Sequence, residues 1–443
     1  MTLIRCRAPV GSPAPRQASA PPTAEEGLST LRLSAFGLRR DPPRRPEDRS
    51  ADYEALFDYD TLFYDLFRSP DGAAIIGLGP PLLNCEAPLL QAVFRSTASE
   101  RPLAWRYEPP RTHFQPSCRF RIDARDLPSD APLVMELAGR RVRVPVRPSG
   151  VADFAGRRIL VTLSRDNPLG WIRDWVSFNV RVHGADAVLF YDNGSTAYER
   201  RALARLFEAI PGLVRARVVA WPFPFGPGTG PRNIQDSFYC QPGALNHARW
   251  RYCAAARGVL NSDIDELVAI GGGGSLFDRL ERSGKAALVF PGLWVERPAL
   301  KAAPERERPP ARHLNCLYRE LGQCLLRRFG RHHRLLRTKW IAVPALVPNE
   351  VDWGVHDLYP KQRQSRRHRR SWRRQPRDLF YRHFRQINTG WKLARWMARP
   401  YLRFRHRYDR DLADAFRAAF PDDPIDPPMR WFDGLRRHRA KPR

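Results

Sequence analysis

Arg158-Ile159-Leu160-Val161-Thr162-Leu163 decides the fold of this chain. The run is short, apolar and partly β-branched, the composition of a strand buried on both faces. A loop, Ser164-Arg165-Asp166-Asn167-Pro168, follows it. Ile172, Val176 and Val180 then recur every four residues, Trp175 and Val182 widen the apolar stripe, and Gly184 closes the helix. Ala187-Val188-Leu189-Phe190-Tyr191 repeats the strand pattern and runs into Asp192-Asn193-Gly194-Ser195. A second helix over 198–210, with Leu203, Leu206, Phe207 and Ile210 on one face, stops at Pro211-Gly212, and a third strand spans 214–221. This succession predicts a Rossmann-like α/β domain with a mostly parallel central sheet and flanking helices.

Further along, residues 222–243 form a Pro- and Gly-rich loop without a Gly-Lys-Ser/Thr phosphate cradle. A helix over 244–256 leads to Val259-Leu260 and then to Asn261-Ser262-Asp263-Ile264-Asp265-Glu266-Leu267-Val268. Alternation along an extended chain puts Asp263 and Asp265 on one side and Ile264 on the other. Two carboxylates so spaced can hold one hard divalent cation and leave positions open for phosphate oxygens. The competing reading is a helix N-cap. Asp192 sits at a strand end, where open α/β sheets bind ligands, and can accept hydrogen bonds from a base or ribose. Asp-Asn-Gly-Ser is equally good chemistry for an Asx turn. A helix near 276–281, strands at 286–290, 339–343 and 351–355, and His356 after the last of them complete a domain assigned to 151–360. The charged, Pro-rich 296–312 segment reads as an acceptor-side loop.

Outside that domain, residues 1–50 read as a disordered Pro/Arg-rich tail without the apolar core of a signal peptide. Residues 51–150 read as a small module. An aromatic cluster at 53–67 is expected to be helical. Cys118, Phe120 and Ile122 alternate with charged residues, and Ala138-Gly139-Arg140 turns an antiparallel hairpin. Residues 361–378 form a basic loop, with nine Lys/Arg and no acid between Lys361 and Arg377. Residues 379–443 form an Arg- and aromatic-rich helical segment, in which Lys392, Arg395 and Arg399 share a helical face. At 43% hydrophobic with 12 Trp the chain can build a large core, and it contains no apolar run long enough to span a bilayer. The net charge of +29 calls for an anionic partner, although an Arg-rich genome composition accounts for it equally. Seven scattered cysteines without a Cys-x-x-Cys pair argue against zinc and disulfide frameworks and for a reduced, cytoplasmic chain.

The ordered series from Ile159 to Lys392 resembles the family-2-like and family-92-like glycosyltransferases of the GT-A fold. The match comprises Asp166-Asn167, Ile172-Arg173-Asp174-Trp175-Val176, Tyr191-Asp192-Asn193-Gly194-Ser195, Trp221-Pro222, Gln241 with Asn246-His247, and Asp263-Ile264-Asp265-Glu266-Leu267. Further on, Lys339 with Pro344, Gly354-Val355-His356, and His383-Phe384-Arg385 with Lys392 continue it. Asp174 replaces the family's Glu, Asn179 lies near its His, and Asn261-Ser262 replace apolar residues before the acidic motif.

The resemblance implies transfer of a sugar from a nucleotide-diphosphate donor, UDP-linked by preference, to a glycan or other hydroxyl acceptor with inversion. Asp166, Asp192 and Asp263 would then contact the nucleotide sugar. Asp265, Asp263 and His356 would ligate Mn²⁺ or Mg²⁺, the imidazole favouring manganese. Inversion also needs a carboxylate base. Glu296 is the first choice and Asp352 the alternative, while Glu266 orients the loop. The basic run and the C-terminal helix would allow a peripheral position on an anionic inner membrane face. The alternative function is a basic nucleic-acid- or anionic-glycan-binding protein on the same scaffold without catalysis. No nucleic-acid-binding module is recognisable in the chain, which argues against the nucleic-acid form.

Overall fold

A computed structural model describes residues 23–97, 99–110, 117–128, 131–232, 234–297, 311–320, 336–361, 364–387 and 406–428. The chain is α/β, built on one large mixed sheet. Its first half is parallel: strands Thr23–Glu26, Arg215–Ala220, Ala187–Asp192, Arg158–Ser164 and Gly258–Asn261 lie side by side in that order. Its second half is antiparallel, continuing through Leu336–Ala342, Ala287–Glu296, Tyr318–Glu320 and His406–Tyr408. The sheet is therefore mixed, where the repeated strand–helix pattern predicts mostly parallel pairing. The strand–helix alternation ends with helix Leu276–Arg282, and the later strands pair antiparallel with partners far apart in the chain.

Ile159, Leu160 and Val161 are fully buried, as the apolar run requires. Each such side chain contributes roughly 1.5–3 kcal/mol on leaving water. Helix Leu169–His183 packs Ile172, Trp175 and Val176 on one face of the sheet and ends where Gly184 adopts φ +67°, its amide bonding the Val180 carbonyl. Helix Arg200–Glu208 covers the same face through Leu203 and Phe207. The opposite face is covered by helix Cys240–His247, which continues in a wider turn over Ala248–Tyr252.

The N-terminal module holds two antiparallel four-stranded sheets around one core that includes Phe63, Phe94, Phe120 and Leu133. The hairpin Leu133–Leu137/Arg140–Val144 turns where expected, with Ala138 at φ +52° and Gly139 at φ +72°. Two expectations need correction here. Residues 23–50 are not a loose tail: Thr23–Glu26 pairs with strand Arg215–Ala220, Leu31, Leu33 and Phe36 join the module's core, and the buried Arg40 guanidinium donates to the carbonyls of Asp58, Thr61 and Pro81. Prolines and arginines conceal three apolar anchors and one buried cation with a hydrogen bond from each of its three nitrogens. The aromatic 53–67 stretch is helical only over Tyr53–Leu56 and then forms strands Thr61–Phe63 and Asp65–Arg68. Residues 1–22 lie outside the described residues.

The module is bolted to the sheet through Asp65. This fully buried carboxylate accepts from the Ser29 amide at 2.7 Å and Arg251 Nη1 at 2.6 Å, and lies 2.9 Å from His247 Nε2. His247 Nδ1 in turn lies 2.9 Å from the Tyr191 hydroxyl. The basic run forms helix Arg366–Trp372 and strand Arg373–Arg374 where a loop is expected, with Trp372 buried as its anchor. The expected helix carrying Lys392, Arg395 and Arg399 lies outside the described residues, as does most of 296–312. No helix of the described residues is long and apolar enough to cross a membrane. The five described cysteines are buried and unbridged.

Candidate functional site

Counting the parallel strands in chain order from 158–164, that strand is flanked by the second, 187–192, on one side and the fourth, 258–261, on the other. The winding reverses between the first and fourth strands, and the crevice outside their carboxyl ends is where such sheets bind ligands. Ser164 and Asp192 pair in register at that edge.

The two carboxylates nearest the first and second strand ends build loops. Asp166, at φ +53°, accepts the Thr196 and Ala197 amides at 2.6 and 2.9 Å, and its own amide donates to Ser195 Oγ. Partial burial opposes its charge, but these amides and Arg165 outweigh it and hold the carboxyl below its ordinary pKa. Asp192, buried, accepts the Ser195 amide at 3.1 Å, the Asx turn that its sequence allows. Together Asp166 and Asp192 clasp the first and second strand-end loops into one rim.

Past strand 258–261 the chain turns over Asp263–Glu266. The Glu266 amide donates to the Asp263 carbonyl, and the Asp263 amide donates to Glu266 Oε2 at 3.0 Å, so Glu266 does orient the loop. Ile264 faces the core, but it does so from a turn and not from the extended strand that the sequence suggests. Asn261 and Ser262, out of place in an apolar strand, have local tasks: Asn261 Nδ2 donates to the Val355 carbonyl and Ser262 Oγ to the Glu266 carbonyl.

Lys339, reaching from the neighbouring strand and almost fully buried, places Nζ 2.7 Å from Asp263 Oδ2 and 3.1 Å from Glu266 Oε2. Gln241 Nε2 donates to the other Asp263 oxygen at 3.0 Å. From strand Tyr381–Phe384, His383 pairs in register with Glu266. Its Nε2 lies 2.9 Å from Asp265 Oδ2 and its Nδ1 3.7 Å from Glu266 Oε1, with the Trp294 ring centroid 4.3 Å away.

Ligating atoms of Asp265, Glu266 and His383 all lie within 4.8 Å of one another. Their oxygen and imidazole donors suit manganese better than magnesium. Asp263, Asp265 and Glu266 thus bring three carboxyl groups together around Lys339 and His383. Burial pushes the Glu266 carboxyl up to about 7, and the repulsion from Asp263 and Asp265 adds to it against the pull of Lys339 and His383. Burial also works against the Lys339 charge, but Asp263 and Glu266 outweigh it and keep the ammonium protonated well beyond its ordinary range.

Four expected roles change in the light of this geometry. Asp263 is tied to Lys339 and Gln241 and stands outside the three-residue cluster. His356 stands outside it too, its carbonyl accepting from Thr338 Oγ1, and His383 supplies the imidazole. Glu296 is buried, 3.0 Å from His406 Nε2 and 3.5 Å from Arg385 Nε, which leaves it closed to an acceptor hydroxyl. Asp352 is buried in the Val351–Trp353/Leu358–Pro360 hairpin. Burial raises its pKa against the pull of Lys361, Arg119 and Arg249. Sequence reasoning quoted Lys339 and His383 within its motifs but gave neither a role.

No protein-family model and no curated protein matches this chain. A solved structure described as a mycobacterial protein aligns with 60% of this chain and 73% of its own length at 15% identity, with a TM-score of 0.24. A likeness of that size carries no argument about fold or function.

Proposed function

We propose that this protein is a metal-dependent glycosyltransferase of the GT-A type, moving a sugar from a nucleoside diphosphate donor, UDP-linked by preference, to a hydroxyl of a glycan or other acceptor. The observation that carries the reading is the convergence of Asp265, Glu266 and His383 beside Asp263, just past the carboxyl end of the fourth parallel strand. Two carboxylates and an imidazole whose ligating atoms converge suit a divalent cation, and Asp265, Glu266 and His383 would hold it. When bound, Mn²⁺ would supply the positive charge that stabilises a departing diphosphate. Asp263, fixed by Lys339 and Gln241, remains a hydrogen-bond acceptor for a ribose or sugar hydroxyl. Asp166 and Asp192 would shape the nucleotide-side rim. Neither Glu296 nor Asp352 is assigned as base.

The test measures Mn²⁺ binding by calorimetry and donor hydrolysis with UDP- and GDP-sugars, comparing wild type with Asp265→Asn and His383→Gln. Wild type should bind one Mn²⁺ and hydrolyse one donor, and each variant should lose about tenfold or more in both. Unchanged Mn²⁺ binding in both variants would sink the metal assignment. Inertness of wild type toward every donor would leave a non-catalytic glycan-binding scaffold.

A further inference from the structure

A second concave site lies away from the carboxylate cluster, where helix Arg366–Trp372 and strand Arg373–Arg374 run along the start of strand Ala287–Glu296. It is a cleft of about 740 Å³ lined by Lys285, five arginines and Gln375, over an apolar floor of Pro291, Pro376 and Phe380. None of its lining residues is acidic. A cleft of this size is in the range of small-molecule sites.

The segment is held in place from both sides. Trp372 is buried in the core, its indole N–H donating to Gln364 Oε1, and Lys285 Nζ donates to the Ser371 carbonyl at 2.9 Å. Arg373 is paired with Asp357 at 2.5 Å. By contrast Arg369, Arg370 and Arg374 are solvent-facing, and no carboxylate among the described residues lies within ion-pair distance of any of them. Three guanidinium groups lining one cleft demand more acceptor oxygens than one carboxylate has. Phosphate groups meet that demand, since each can take a bidentate fork and carries the larger charge. A single-stranded nucleic acid fits poorly, because it needs exposed rings for stacking and the nearby Trp372 and Phe380 are buried.

We propose that this cleft binds a ligand carrying two or more adjacent phosphate groups, independently of any glycosyl transfer. The test is calorimetry of the full chain with inorganic tripolyphosphate at physiological salt. Wild type should bind one equivalent. The double variant Arg369→Gln/Arg374→Gln should bind about tenfold or more weakly, while Arg205→Gln, an exposed arginine on another helix, and Asp265→Asn should bind as wild type. A vesicle arm separates the sources of the phosphate. Sedimentation with vesicles containing phosphatidylinositol bisphosphate, abolished by tripolyphosphate and by the double variant, assigns a lipid headgroup. Tripolyphosphate binding without sedimentation assigns a soluble ligand. Lack of saturable binding, equal weakening by Arg205→Gln, or preferential binding of duplex DNA that tripolyphosphate does not displace would each overturn the proposal.

Discussion

Replacing Lys339 with methionine probes the charge balance of the carboxylate cluster directly. Met keeps most of the side-chain volume and removes the ammonium that lies 2.7 Å from Asp263 and 3.1 Å from Glu266. Asp263 is about a third exposed and can turn to water, but Glu266 is 2% exposed and cannot. Stripping the partner from a buried charge costs about 3–5 kcal/mol. Glu266 has one escape, protonation, and the sign follows from its pKa. The folded-state value is already raised, from 4.5 to about 7, so the ionised carboxyl costs stability above pH 7 and that cost disappears as pH falls toward 4.5. Loss of Lys339 raises the folded value further. Lys339→Met should therefore lose about 3–5 kcal/mol at pH 8.5 and less than half of that at pH 5.5. The measurement is urea unfolding followed by tryptophan fluorescence, read as a shift in midpoint at constant slope. Adding Glu266→Gln, which removes the carboxylate that lost its partner, should restore most of the loss at high pH. Equal destabilisation at both pH values, or no rescue by the second substitution, would refute the account of a lysine stabilising an overcrowded set of carboxylates.

Two further outcomes follow from buried groups. His183 is fully buried, and burial lowers its pKa from 6.5 to about 4 despite the carbonyl of Val268 at 2.9 Å. It therefore contributes stability that is present above pH 6.5 and lost between there and pH 4, up to about 3 kcal/mol; His183→Gln should flatten that part of the stability–pH curve, and an unchanged curve would contradict it. Gly292 lies at the bulge of strand 287–296, where an added Cβ would approach the Tyr381 ring to 2.2 Å. Gly292→Ala should displace strand 381–384, cost about 1–3 kcal/mol, and weaken Mn²⁺ binding through His383, whereas Gly139→Ala, distant in the N-terminal hairpin, should leave metal binding unchanged.

Local pattern made four of the five parallel strands legible; the fifth, Thr23–Glu26, lay in the stretch read as disordered. Apolar runs at 158–163 and 187–191, the helical stripe at 172–182 and the stop at Gly184 each act within one element, and the chain reports them directly. The same locality exposed Asp263-Ile264-Asp265 as a cluster of carboxylates, although the segment is a turn and not the extended chain that a period of two assumes. It did not expose the antiparallel half, where pairing depends on segments far apart in the chain. Leu31, Leu33 and Phe36 were hidden in a Pro/Arg-rich stretch for a related reason: three anchors are too few to set a period.

What the sequence alone determined is the strand–helix order and the position of an acidic motif at the end of a strand. What only the tertiary structure decided is which charges meet there. Lys339 arrives because strand 336–342 lies antiparallel beside 258–261, and His383 because strand 381–384 pairs with 266–268. Glu296, plausible as a base from its place after a strand, is instead enclosed by His406 and Arg385. Charge interactions act over a few ångströms in space, and sequence separation says nothing about that distance. The acidic motif was thus readable from its own residues, and its balance of charge only from its neighbours.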